Sequence, residues 1–104
     1  MIEISSIKEF NKYVLNEHKI LIVYFYTTKD WCQELNNKLF SIFKENCNGN
    51  IVILNVDVDT ITNIHLETNL TTVPIIRLYK DSKMFHEIYC TFPNLEEIIT
   101  SLIS

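Results

Sequence analysis

The sequence predicts a three-layer α/β/α sandwich, with helices on both faces of a central mixed sheet of four to five strands. Three observations lead there. Strand-like and helix-like stretches follow one another in the order βαβαβαββα, and such alternation favours parallel units with helices packed over the sheet. Two strand-like stretches, Ile20 to Tyr26 and Ile51 to Val56, are apolar on both faces, as strands covered on either side are. The last two strand-like stretches flank the polar segment Lys80-Asp81-Ser82-Lys83, which reads as a hairpin turn and makes the sheet mixed.

Each element has its own signal. Ile2-Glu3-Ile4 alternates and reads as a short first strand. Ser6 and Glu9 form a capping-box pattern, and Ile7, Phe10 and Val14 follow at helical spacing. A helix is therefore expected from about Ile7 to Asn16. After the strand Ile20 to Tyr26 comes a polar loop, Thr27-Thr28-Lys29-Asp30. Leu35, Leu39, Ile42 and Phe43 then recur at helical spacing, up to the stop signal Asn48-Gly49-Asn50. The strand Ile51 to Val56 leads through Asp57-Val58-Asp59-Thr60 into a weak helical pattern, Ile61 to Asn69. Ile75 to Tyr79 and Met84 to Tyr89 make the hairpin. Pro93 and Asn94 open a last helix carrying Leu95, Ile98, Ile99 and Leu102.

Composition narrows the possibilities. A chain of 104 residues, 47% of them hydrophobic, is expected to form one domain, 1–104, with one sizeable core. The net charge is −4, with acids and bases interspersed. Nucleic-acid binders carry a basic patch, so no nucleic-acid partner is expected. The N-terminus lacks the basic and apolar regions of a signal peptide, and the longest apolar run falls far short of the ~20 residues that span a bilayer. No membrane association is expected. The cysteines are Cys32, Cys47 and Cys90, an odd number, best read as free thiols of a reducing, cytoplasmic compartment. Cys47, between Asn46 and Asn48, reads as an exposed bystander. His18, His65 and His86 share no ligand spacing with a cysteine, so no metal is expected. A single Gly cannot build a phosphate-binding loop, and no cofactor is expected. Glu34, near a helix start, reads as an acid favoured by the helix dipole.

Three local motifs carry chemistry. Trp31-Cys32 stands at a strand-loop-helix junction after Val23-Tyr24-Phe25-Tyr26. Asn55-Val56-Asp57-Val58-Asp59 ends a strand. Thr72-Val73-Pro74-Ile75 opens another. Together with the element order and the length, they resemble the thioredoxin family, over the whole chain. The resemblance implies the thioredoxin fold. It also implies a cis Val73-Pro74 peptide whose exposed edge pairs with a substrate strand, and a groove formed by Trp31, Val73, Pro74, Tyr89 and Cys90. In the family, a thiol at a helix N-terminus faces the positive end of the macrodipole, which favours its thiolate. A second cysteine three residues on then releases the substrate.

The chain departs from that pattern. It reads Cys32-Gln33-Glu34-Leu35, with Leu35 where a second thiol would follow, and Tyr24 stands where the family buries an Asp that helps to move protons. The loop before Trp31-Cys32 is longer than the family's, and Cys90 falls near a family Gly on the groove rim. The segment after Pro74 also lacks the Gly pair of a glutaredoxin glutathione site. Two placings of Cys32 are open. Trp31 immediately before it favours the family's first, exposed cysteine. The apolar phase of Leu35, Leu39, Ile42 and Phe43 favours the second, buried one.

The expectation is a monomeric thioredoxin-like protein of thiol–disulfide redox homeostasis acting through one cysteine. Cys32 is its catalytic thiol, protein thiols or disulfides are its partners, and an outside thiol such as glutathione finishes the reaction. The alternative is a redox-inactive binding module of the phosducin-like or spliceosomal type, holding a protein in the same groove. That alternative rests on analogy, since fold does not fix function.

Overall fold

A computed structural model describes residues 1–45, 49–90, 97, 100 and 101, with the side chains of Asp30 and Trp31 excepted. Its elements are β1 (Ile2–Glu3), α1 (Ile7–Asn16), β2 (Ile20–Tyr26), α2 (Asp30–Glu45), β3 (Ile51–Asp57), α3 (Ile64–Thr68), β4 (Ile75–Lys80) and β5 (Lys83–Tyr89). The helix expected from Pro93 onward falls largely outside the described residues, and Cys47 falls outside them too.

Local chemistry explains the boundaries. The Glu9 backbone N–H donates to Ser6 Oγ at 3.1 Å, and the Ser5 N–H donates to Glu9 Oε1 at 2.9 Å. One amide left open by the first turn of α1, that of Glu9, is thus satisfied, together with the Ser5 amide just before the helix, and such a cap contributes about 1 kcal/mol. Asn63 and Asn69 bound α3 in the left-handed region, which Asn tolerates better than most residues. They cut the weak pattern of Ile61 to Asn69 down to five helical residues. Asp81 and Ser82 have φ of 50° and 69°, the sense of a type I′ turn, whose twist matches that of the flanking strands.

The five strands form one sheet in the order β1-β3-β2-β4-β5. β1, β3 and β2 run parallel, while β4 is antiparallel to both β2 and β5. Alternation along β2 divides the core in two. Ile22, Tyr24 and Tyr26 pack with Leu39, Ile42 and Phe43 of α2 on one face. Leu21, Val23 and Phe25 pack with Phe10 of α1 and Ile64 of α3 on the other. Six of the seven β2 residues are buried, so its two-sided apolar run is the physical requirement of a central strand. Helices on both faces of a mixed sheet make the expected α/β/α sandwich.

Candidate functional site

One end of the sheet gathers the sequence-nominated residues. β2 ends at Tyr26 and the chain turns through Thr27, Thr28 and Lys29 into α2, so Cys32 lies in the first turn of that helix. The turn is fixed by several bonds. Thr27 is buried, and its hydroxyl donates to the Asp59 carboxylate. The Cys32 N–H donates to the Lys29 carbonyl at 2.9 Å. Gln33 Nε2 donates to the Thr28 carbonyl at 2.6 Å. Asp59, from the Asp57-Val58-Asp59 motif, therefore anchors the loop that leads to the cysteine.

Cys32 is shut in. It is 1% exposed, and its Sγ donates to Asn36 Oδ1 at 3.3 Å. The same oxygen accepts from the Tyr24 hydroxyl at 2.6 Å, while Asn36 Nδ2 donates to the Thr27 carbonyl at 2.9 Å. Asn36 thus joins β2, the loop and α2 around the sulfur. Burial pushes the Tyr24 hydroxyl well above its ordinary pKa, and the neighbouring Cys32 and Cys90 add to the shift. Tyr24 therefore stays neutral across the physiological range and does not replace a buried carboxylate as a proton carrier. Tyr24→Phe is expected to cost about 1 kcal/mol of stability through the lost bond to Asn36. Urea unfolding measures it, and an unchanged midpoint would show that the hydroxyl contributes nothing.

Across from the start of α2 lies the segment Thr72-Val73-Pro74. The Val73-Pro74 peptide is cis. Thr72 is exposed, and Val73 and Pro74 are half-buried. The ladder between β2 and β4 ends at the pair Phe25 and Ile75, which leaves the Thr72-Val73 backbone beyond the sheet. Ile75 pairs with Tyr89 on β5, so Cys90 follows beside Pro74. Tyr89 is 43% exposed and Cys90 7%. Burial pushes the Cys90 thiol up to about 12, with Cys32 adding to the shift. Cys90 shares an open pocket with Glu34, Leu35 and Lys38 of α2. Val73, Pro74, Tyr89, Cys90 and Cys32 are thus brought to one end of the fold. Trp31 is in the first turn of α2, and its side chain lies outside the described residues.

Sequence reasoning missed two residues. Asn36 holds the sulfur, and its signal was a polar side chain on the apolar stripe of Cys32, Leu35 and Leu39. Arg77 was hidden in the strand Ile75-Ile76-Arg77-Leu78-Tyr79, where a cation inside a buried run demands partners. Among the described residues, no group of three or more His, Cys, Asp or Glu side chains is placed to hold a metal ion. No helix of the described residues is long and apolar enough to cross a membrane.

Comparison with known proteins agrees with this geometry. The thioredoxin family model matches residues 1–103. The chain belongs to the thioredoxin family. A thioredoxin of Coprinus comatus is 35% identical over 100 residues, which cover 92% of each chain. The thioredoxin of Malassezia sympodialis superposes with a TM-score of 0.80 at 19% identity, covering 97% of this chain and 90% of that one. A Plasmodium falciparum thioredoxin does so with 0.76 at 20% identity, covering 99% and 96%. These two superpositions establish the fold. Family membership places the chain among the thiol–disulfide redox proteins.

Proposed function

We propose that this thioredoxin-family protein holds protein partners in the groove beside the cis proline and does not turn over disulfides as a two-thiol thioredoxin does. The observation that carries this reading is the burial of Cys32, a residue 1% exposed whose sulfur is tied to Asn36. Burial favours the second, inner placing of Cys32 over the outer one. A nucleophilic thiol must reach its target sulfur, and reactive cysteines sit in partly exposed, electropositive surroundings. The exposed residue three positions earlier is Lys29, which has no thiol. In this reading Val73, Pro74 and Tyr89 line the groove. The Thr72-Val73 edge is available for pairing with an extended segment, and half-buried Val73 and exposed Tyr89 give apolar contact. Thioredoxins act on protein disulfides, so proteins bearing thiols or disulfides are the partner class. The chain is read as a single-domain monomer of a reducing cell interior.

A second reading has one observation in its favour. Cys32 lies in the first turn of α2, at the end of the sheet that also holds the cis Val73-Pro74 peptide. In this reading the sulfur emerges when a partner is bound, reacts as a monothiol, and is released by an outside thiol such as glutathione.

Alkylation separates the two. With iodoacetamide on the native protein, Cys32 is expected to react at least tenfold more slowly than free cysteine, and to react fully once urea unfolds the chain. Peptide mapping by mass spectrometry reads the result. Rapid native labelling of Cys32, lost in Cys32→Ser, would sink the partner-holding reading and leave the monothiol one.

A further inference from the structure

The end of the sheet away from Cys32 carries a cleft that neither reading uses. It is an open cavity of about 680 Å³, lined by Ile20, Lys80, Asp81, Lys83 and Phe85. Sites for small molecules measure about 300–1,000 Å³. Ile20 begins β2, whose other end leads to Cys32, so the cleft and the groove are about 20 Å apart along the strand.

The hairpin register builds the cleft. Leu78 pairs with His86 and Tyr79 with Met84, so the ladder skips Phe85, the extra residue of a β-bulge. Bulges re-aim side chains. Leu78 and Ile20 pack on the α2 side of the sheet. Lys80, two residues after Leu78, is on that side, and so is Lys83, its partner across the turn. Phe85, two residues after Lys83, joins them and is 49% exposed. Lys80 and Lys83 stand directly opposite one another, and like charges so placed destabilise a sheet. Among the described residues neither lysine forms an ion pair. Asp81 lines the cleft too, but its Oδ1 lies 3.5 Å from Nδ1 of His18, just beyond α1. Ser82 Oγ donates to the Leu15 carbonyl at 3.2 Å. The turn between the two lysines is thus tied to the end of α1, which holds the rim in place.

We propose that this cleft binds a small anion with an apolar body, such as an aromatic sulfonate or carboxylate. The apolar part lies against Ile20 and Phe85, and the anion meets Lys80 and Lys83. Binding takes the Phe85 ring out of water and relieves the repulsion between the two ammonium groups. The inference does not rest on the partner-holding reading, because the cleft and the groove share no residue.

The full chain is titrated with anilinonaphthalene sulfonate, whose fluorescence rises in apolar surroundings, and with its uncharged analogue phenylnaphthylamine. The sulfonate is expected to bind saturably, and the analogue at least fivefold more weakly, about 1 kcal/mol. Lys80→Gln combined with Lys83→Gln is expected to weaken the sulfonate by about the same factor, and Phe85→Ser at least as much. All three side chains are exposed, so the circular dichroism of the variants should match the wild type. Amide chemical shifts should move at Ile20 and in residues 80–85, and not at Thr72-Val73. Equal affinity for both probes, a titration unchanged by the substitutions, shifts confined to the groove, or no saturable binding would each overturn the site. So would a dimer in sedimentation that Phe85→Ser returns to monomer, since a second copy would then cover the cleft. Each of these outcomes leaves the groove reading standing, which alkylation of Cys32 tests by itself.

Discussion

Lys29→Cys is expected to raise insulin-reducing activity, with dithiothreitol as donor, at least tenfold above the wild-type chain. Lys29 is exposed, lies three residues before Cys32, and accepts the Cys32 N–H at 2.9 Å. A thiol there would stand at the mouth of α2, where the helix dipole and open backbone amides favour a thiolate. Cys32, buried one turn inward, would then serve as the second thiol and displace the bound substrate. The gain should stop short of an ordinary thioredoxin, because Tyr24, kept neutral by burial beside Cys32, supplies no carboxylate to move protons. Leu35→Cys is the control. It puts a thiol on the far side of Cys32, half-buried in the pocket of Cys90, and should change little. The inner placing of Cys32 would be untenable if Leu35→Cys proved the more active variant, or if the wild type already reduced insulin at a thioredoxin's rate.

The contrast between these positions marks how far the sequence could be read. β2 and α1 are legible to the residue, because a two-sided apolar run and a capping box are local signals. Asp57 of the Asp57-Val58-Asp59 motif ends β3, and Val73-Pro74 stands immediately before β4. Whether Cys32 faces solvent was not legible. That depends on how Thr27, Thr28 and Lys29 are folded, and the fold of this loop is held by Asp59, distant in sequence. Trp31 argued one way and the helix phase the other; burial of Cys32, Asn36 and Leu39 on one side of α2 agrees with the phase. The extent of α3 was also hidden, since two left-handed Asn residues bound it and Asn is found in helical and extended conformations as well as that one.

Replacing Arg77 with Met is expected to destabilise the fold by about 3 kcal/mol, the magnitude of breaking a buried ion pair by removing one partner. Arg77 lies on β4, on the face shared with α1 and α3, with its side chain 9% exposed. Its Nε donates to Glu87 Oε2 at 2.6 Å. Its other nitrogens donate to the Thr68 carbonyl and, at 3.3 Å, to the Asn69 carbonyl, and the guanidinium lies 5.5 Å from the centre of the Phe25 ring. An exposed pair would contribute less than about 1 kcal/mol. Here the loss falls on carbonyls that end α3 and that no other described donor reaches. Methionine restores much of the volume but none of the donors. Glu87, 26% exposed, can recover water, so Glu87→Gln should cost no more than about 1 kcal/mol. Urea unfolding of both variants tests this order, and Arg77→Met within about 0.5 kcal/mol of wild type would show that the clamp is dispensable. The effect should reach the groove. Thr68 and Asn69 lead directly into Thr72-Val73-Pro74, so a loosened end of α3 frees the edge that a partner strand must meet. Amide hydrogen exchange under native conditions should then be faster in residues 64–73 than in β2, which is held from both sides of the sheet.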